Sequence, residues 1–157
     1  MNLEHHYAMT LEWTGDRGTG TSGYRAYGRD HVISASGKPS IAGSSDRTFH
    51  GDADRWNPEE LLLAALTQCH MLSYLHVATL HGIVVTGYVD AATGTMQQTD
   101  NGGGHFTAAT LRPTVTISSG DPAVALAIHR EASEKCFIAA SVNFPVAHEP
   151  SIIVSGT

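Results

Sequence analysis

The segment Trp56-Asn57-Pro58-Glu59-Glu60-Leu61 constrains the fold more than any other stretch of this chain, because it stacks several helix-start signals on neighbouring residues. Asn57 is suited to the N-cap, Pro58 to the first helical position, and Glu60 to the reciprocal partner of a capping box, with Trp56 placed to staple onto Leu61. From that start the spacing predicts a helix running to about His81, where Gly82 can take the left-handed position that ends it. Roughly 24 residues at 1.5 Å each give a helix about 36 Å long. Its first half, Leu61 to Leu66, has no polar face, so it must be covered on nearly all sides. A chain of 157 residues can hardly supply that cover alone, and two such helices packing in a homodimer are expected.

Around this helix the sequence reads as one domain, residues 1–157, with no repeat, low-complexity block or interdomain linker. Three short strands are expected before it, at His6–Trp13, Ser22–Arg29 and His31–Ala35. Two follow it, Ile83–Tyr88 and Phe106–Ser118, and Pro113 marks an edge or a bulge in the second. Asp121-Pro122 repeats the capping chemistry, and Val124, Ile128, Ala132 and Cys136 at four-residue spacing predict a second helix ending near Cys136. A last strand covers Ser151–Ser155. The order βββ-α-ββ-α-β makes an α+β fold, helices on an antiparallel-rich sheet, with no nucleotide-binding βαβ unit.

Composition narrows function. Nine Lys and Arg against fifteen Asp and Glu give a net charge of −6, which offers no basic surface to nucleic acid or to an anionic membrane. Six consecutive apolar residues at Leu61–Leu66 fall short of the ~18 that span a bilayer, and the N-terminus lacks a signal-like pattern, so a cytoplasmic protein is expected. Two cysteines are too few for a disulfide scaffold.

Cys69 lies mid-helix on the face shared by Leu62, Ala65, Leu66, Ser73 and His76, pointing inward. A buried cysteine is often only a small hydrophobe, and that reading applies to Cys136 too. A nearby cation would make either thiol useful by stabilising the thiolate, and Arg17 and Arg47 precede the helix in loops. Ten histidines keep a metal in view, but neither His70 nor His76 stands four residues from Cys69. His81 and His129 are expected at the surface or at helix ends, and His148 in a loop. No metal or cofactor is expected.

The stretches Arg47-Thr48-Phe49-His50-Gly51 and Trp56-Asn57-Pro58-Glu59-Glu60-Leu61-Leu62-Leu63-Ala64-Ala65, the latter leading to Cys69, with Cys136 sixty-seven residues later, resemble the OsmC/Ohr family of thiol-dependent hydroperoxide reductases. The resemblance extends over nearly the whole chain, Trp13-x-Gly15 included. It implies an intertwined homodimer, Cys69 as peroxidatic and Cys136 as resolving cysteine, and an arginine paired with Glu59 to tune the thiolate. It also implies a hydroperoxide substrate and an external dithiol reductant. Arg47 matches the pattern better than Arg17. The chain departs from Ohr-type members in lacking a Cys-Pro dipeptide at Cys136 and in placing His70 after Cys69. Ten residues of straight helix between Glu59 and Cys69 amount to about 15 Å, too far to share one arginine, so either the helix breaks or the two meet across subunits. The rival reading is a small-molecule binding protein of the same fold whose cysteines only line the cleft.

Overall fold

A computed structural model describes residues Leu3–Gly156. The chain divides into two compact units, one running to Leu62 and one beginning at Leu63.

In the first unit β1 (Thr10–Trp13), β2 (His31–Ser34) and β3 (Ile41–Gly43) form an antiparallel meander. The expected strand at Ser22–Arg29 is instead a turn-rich loop. Its strand-favouring tyrosines serve another interaction: the Arg29 guanidinium donates to the carbonyls of Tyr24 and Tyr27, at 2.7 and 2.6 Å, and lies over both rings. That curls the backbone where a strand would be straight. The loop closes where Gly28 donates to the Gly15 carbonyl at 2.7 Å. A Cβ on Gly15 would lie 2.1 Å from the Gly28 oxygen, so only glycine permits the approach.

The long helix α1 spans Pro58–Leu80, 23 residues without a break. Its start is the expected capping box, with Glu60 N–H donating to Asn57 Oδ1 at 2.8 Å and Asn57 N–H to Glu60 Oε2 at 3.2 Å. Gly82 at φ 68° ends it, and the Ile83 amide returns to the Ala78 carbonyl at 2.9 Å. By length and mean hydropathy α1 could cross a membrane, although its longest apolar run is the six residues Leu61–Leu66. One stripe of α1 is packed, since Leu66, His70, Tyr74, Val77 and Ala78 are buried, while Leu72 and Leu80 are exposed.

The second unit holds two mixed three-stranded sheets, with four strands directly after α1 where two were expected. β4 (Val84–Asp90), β5 (Thr93–Gln98), β6 (Gly104–Leu111) and β7 (Pro113–Ser119) follow α1. β8 (Val146–His148) and β9 (Ser151–Val154) end the described chain, giving the sheet orders β4-β7-β9 and β5-β6-β8. β4/β7 and β5/β6 are antiparallel, whereas β7/β9 and β6/β8 are parallel.

The single strand expected over Phe106–Ser118 thus divides at Arg112 between two sheets. Pro113 sits neither at an edge nor in a bulge; it is the first residue of the central strand β7, where its missing N–H costs no ladder bond. The preceding amide, of Arg112, goes to Asp90 Oδ1 at 2.7 Å instead. Val115 and Ile117 on β7 are fully buried against Tyr74, Val77 and Ala78 of α1.

The second helix is also divided, into α2 (Pro122–Ala127) and α3 (His129–Glu134), with the predicted Asp121 cap accepting from Ala123 N–H at 2.7 Å. The apolar stripe continues through the break, since Ile128, Ala132 and Cys136 are all buried.

Asn57→Ala removes one capping acceptor and leaves the Glu60 amide unpaired, so it should destabilise the fold by about 1 kcal/mol. Urea unfolding checks this; an unchanged midpoint would show that the box adds nothing to stability.

Candidate functional site

α1 meets the α2–α3 segment through two rows of side chains. The buried row comes from the four-residue spacing of His70 and Tyr74. Tyr74 donates its hydroxyl to the Ala125 carbonyl at 2.9 Å, and His70 Nε2 shares a hydrogen bond with His129 Nδ1 at 3.0 Å. The neighbouring row comes from Cys69 and Ser73. The Ser73 hydroxyl donates to the Lys135 carbonyl at 3.4 Å, and the Cys69 thiol neighbours that of Cys136. The segments run antiparallel, so both cysteines fall at one end of the contact.

Cys69 is half-buried and Cys136 buried, and both are free thiols. The expectation that Cys69 points into the core is therefore corrected: the core stripe runs through His70 and Tyr74, and Cys69 lies beside it. Burial pushes the Cys136 thiol up to about 11; the Cys69 thiol adds to the rise, and the Ala139 amide, donating to Sγ at 3.5 Å, opposes it. Cys136 is therefore a poor nucleophile until its surroundings change, whereas Cys69 faces a groove. That groove, about 650 Å³, is lined by Cys69, Leu72, Ser73, His76, Lys135 and Phe137, with Glu134 at its rim. Leu72 and Phe137 are largely exposed in it.

Sequence reasoning missed the histidines beneath the thiols. His129, expected at the surface or at a helix end, is at the start of α3 but only 3% exposed, and His148, expected in a loop, lies in β8 half-buried. The His70 ring lies 5.3 Å from that of His129 and 4.3 Å from that of His148, and Tyr74 stacks on His129 at 4.0 Å. Burial, reinforced by the neighbouring rings, holds His70 down at about 3 and His129 at about 4. Both are therefore neutral near pH 7, which suits their shared bond, since at least one ring must be neutral to accept. His70 Nδ1, His129 Nε2, Tyr88 Oη and Asp90 Oδ2 are buried without a hydrogen-bond partner. Four-residue spacing of His70 and Tyr74 was the available signal for the buried stripe. Among the described residues no three His, Cys, Asp or Glu side chains converge as metal ligands.

Arg47 and Glu59 belong to the first unit. Arg47 is exposed on a 3-10 turn, Arg47–Phe49, whose cap Asp46 accepts from the Thr48 amide at 2.7 Å. Glu59 is half-buried in the first turn of α1, and its Oε2 is buried without a hydrogen-bond partner. Arg17 is exposed in a loop. Because α1 is unbroken, the first of the two ways of bringing Glu59 to Cys69 is excluded.

Residues 51–151 match the OsmC-like protein family. Among solved structures, an OsmC-like protein of unknown function from Vibrio cholerae O1 biovar eltor is 29% identical with a TM-score of 0.81, over 96% of this chain and 100% of that one. An organic hydroperoxide resistance protein from Elizabethkingia anophelis is 15% identical with a TM-score of 0.65, over 98% of this chain and 100% of that one. The organic hydroperoxide resistance protein OsmC of Legionella pneumophila is 19% identical with a TM-score of 0.64, over 95% and 98%. No curated protein matches the sequence.

The neutral histidines set the acid sensitivity of the fold. An imidazole free at about 6.5 in the unfolded chain but held near 4 or 3 when folded leaves the unfolded state binding more protons below pH 6.5. Stability is thus full above that pH and declines as pH falls toward the folded values, by about 1.4 kcal/mol per pH unit for each histidine. Asp90, raised chiefly by burial, acts in the opposite sense where carboxyls protonate. Thermal melts should drop by on the order of 10 °C between pH 7.5 and pH 5, and a flat profile would contradict the buried pair. The chain has the OsmC-like fold, and it belongs to the OsmC-like protein family.

Proposed function

We propose that this protein is a cysteine-based reductase of organic or inorganic hydroperoxides, with Cys69 as the attacking thiol and Cys136 as the resolving one. The observation that carries this is the pair of neighbouring free thiols, one buried and one beside an open, largely apolar groove. Family membership supports it, and so do the names of two structural relatives.

The chemistry balances without a cofactor. The Cys69 thiolate attacks the distal peroxide oxygen; an S–O bond forms, the O–O bond breaks, and the leaving alkoxide or hydroxide takes a proton to depart as alcohol or water. Cys136 then gives up its proton as its sulfur attacks the sulfenic sulfur, forming S–S and expelling hydroxide, which takes up a proton and leaves as water. An external dithiol restores both thiols by exchange and is itself oxidised. The apolar walls at Leu72 and Phe137 suit the carbon chain of an organic hydroperoxide.

Arg47 is our choice for the cation that holds the Cys69 thiolate and the peroxide oxygen, with Arg17 the other candidate. A guanidinium stays charged and presents a fork to both partners, and Glu59 would fix that fork. The unpartnered Oε2 of Glu59 is consistent with an arginine supplied by a second subunit, as is the length of unbroken helix between it and Cys69. We therefore place the working site in a cytoplasmic homodimer whose α1 helices cover one another, the half-buried run Leu61–Ala65 included.

Reduced protein given one equivalent of cumene hydroperoxide should lose both thiols. Cys69→Ser should keep its remaining thiol, and Cys136→Ser should stop at a sulfenic acid that dimedone traps. Wild type that retains both thiols would defeat the peroxidase reading, and a co-purified small molecule with unreactive thiols would favour the binding one. Arg47→Ala should lower kcat/KM for the peroxide by about 100-fold, as for loss of one charge-stabilising donor, while Arg17→Ala stays within a few-fold. The reverse order would transfer the role to Arg17.

A further inference from the structure

The two rows of contacts between α1 and the α2–α3 segment are coupled by sequence. His70 is adjacent to Cys69, and His129 opens the short helix that leads into Cys136. Helical spacing places His129 inward, four residues after Ala125 and three before Ala132, both fully buried, and α3 has no side-chain cap of its own. The polar contacts that hold the α2–α3 segment on α1 include the His70–His129 bond, the Tyr74 ring stacked on His129, the Tyr74 hydroxyl on Ala125 and the longer Ser73 bond to the Lys135 carbonyl, with an exposed His81–Glu131 pair just past the end of α1. Apolar contacts at Ile128 and Ala132 press the helices together but tolerate sliding; a hydrogen bond between two buried imidazoles does not, because a shift leaves both nitrogens unpaired.

We propose that His70 and His129 are positioning residues for the thiol pair, pinning the register of α3 on α1 that brings Cys136 to Cys69 for disulfide closure. This rests on the reductase reading for its biological sense, but the disulfide itself is tested without peroxide. Neither imidazole is a proton donor or nucleophile in the reaction; their part is to fix where Cys136 stands.

The pin is separable from mere packing by side-chain shape. His129→Asn keeps a polar group near the Nδ1 position and His70→Gln one near Nε2, so each can retain the bond. His129→Leu and His70→Met keep volume and lose it. Each variant is equilibrated with oxidised and reduced dithiothreitol at pH 7.5, where protein dithiol and oxidised reagent exchange to protein disulfide and reduced reagent. The folded fraction is followed by circular dichroism.

The intramolecular disulfide constant of the bond-free variant should fall at least tenfold, with His129→Asn and His70→Gln within threefold of wild type. His70→Met replaces His129→Leu if the latter does not keep a native spectrum. In peroxide, the bond-free variant should form the Cys69 sulfenic acid at the wild-type rate but close the disulfide at least tenfold more slowly. A folded bond-free variant with a wild-type disulfide constant would overturn the proposal, as would polar variants as impaired as the apolar ones. If wild-type protein ignores peroxide while the dithiothreitol series behaves as stated, the reductase reading fails and the positioning role stands.

Discussion

The fold of the second unit depends on a polar requirement inside an apolar helix. The buried stripe of α1 carries His70 and Tyr74 between Leu66 and Val77, and each brings a hydrogen-bonding group that is costly to bury unpaired. The α2–α3 segment supplies a partner to each, the Ala125 carbonyl within α2 to the Tyr74 hydroxyl and the His129 ring at the start of α3 to His70 Nε2. Burial of Ala125, Ile128 and Ala132 supplies attraction, whereas these two bonds select one arrangement among those that would bury similar area. The thiols, one residue outside the stripe on α1 and at the far end of the segment, inherit their meeting point from it.

The site has an asymmetry that suits sequential chemistry. Cys136 is enclosed and held protonated by its surroundings, while Cys69 borders the groove. A resolving thiol that stays unreactive until a partner sulfur has been oxidised avoids spending itself on passing oxidants. The groove beside Cys69 is walled by Leu72 and Phe137, side chains that water solvates poorly, so an apolar substrate or a second protein surface would gain by covering them.

Much of this architecture was legible in the residues. Asn57 and Glu60 marked the start of α1 by reciprocal hydrogen-bonding chemistry, Gly82 marked its end by backbone conformation, and Asp121 marked the second helical segment. Those signals are local and need no partner to be read. The failures are all cases where a distant contact decides. Ser22–Arg29 contains strand-forming tyrosines, yet Arg29 gathers them into a loop. Phe106–Ser118 alternates like one strand, yet Pro113 sends its halves into different sheets. Thr93–Gln98 is exposed along its whole length and lacks an apolar pattern, so it left no trace at all. At the site, four-residue spacing pairs His70 with Tyr74 as readily as Cys69 with Ser73, and only the packed structure shows which pair faces the core. His129 shares the buried face of Ala125 and Ala132 by helical spacing, but two alanines mark an inward face only weakly.

The parallel pairings of β8 on β6 and β9 on β7 bear on how the chain reaches this state. Both sheets of the second unit gain their third strand from residues 146–154, so neither is complete until that short stretch has been made and threaded beside strands formed much earlier. Such pairings close long loops before they return any contact energy, which slows folding. A nascent chain therefore holds α1 and its thiols beside unfinished sheets until the last strands dock, and the interval in which Cys69 and Cys136 are open to wrong partners is set by synthesis of the C-terminal segment rather than by the helices that carry them.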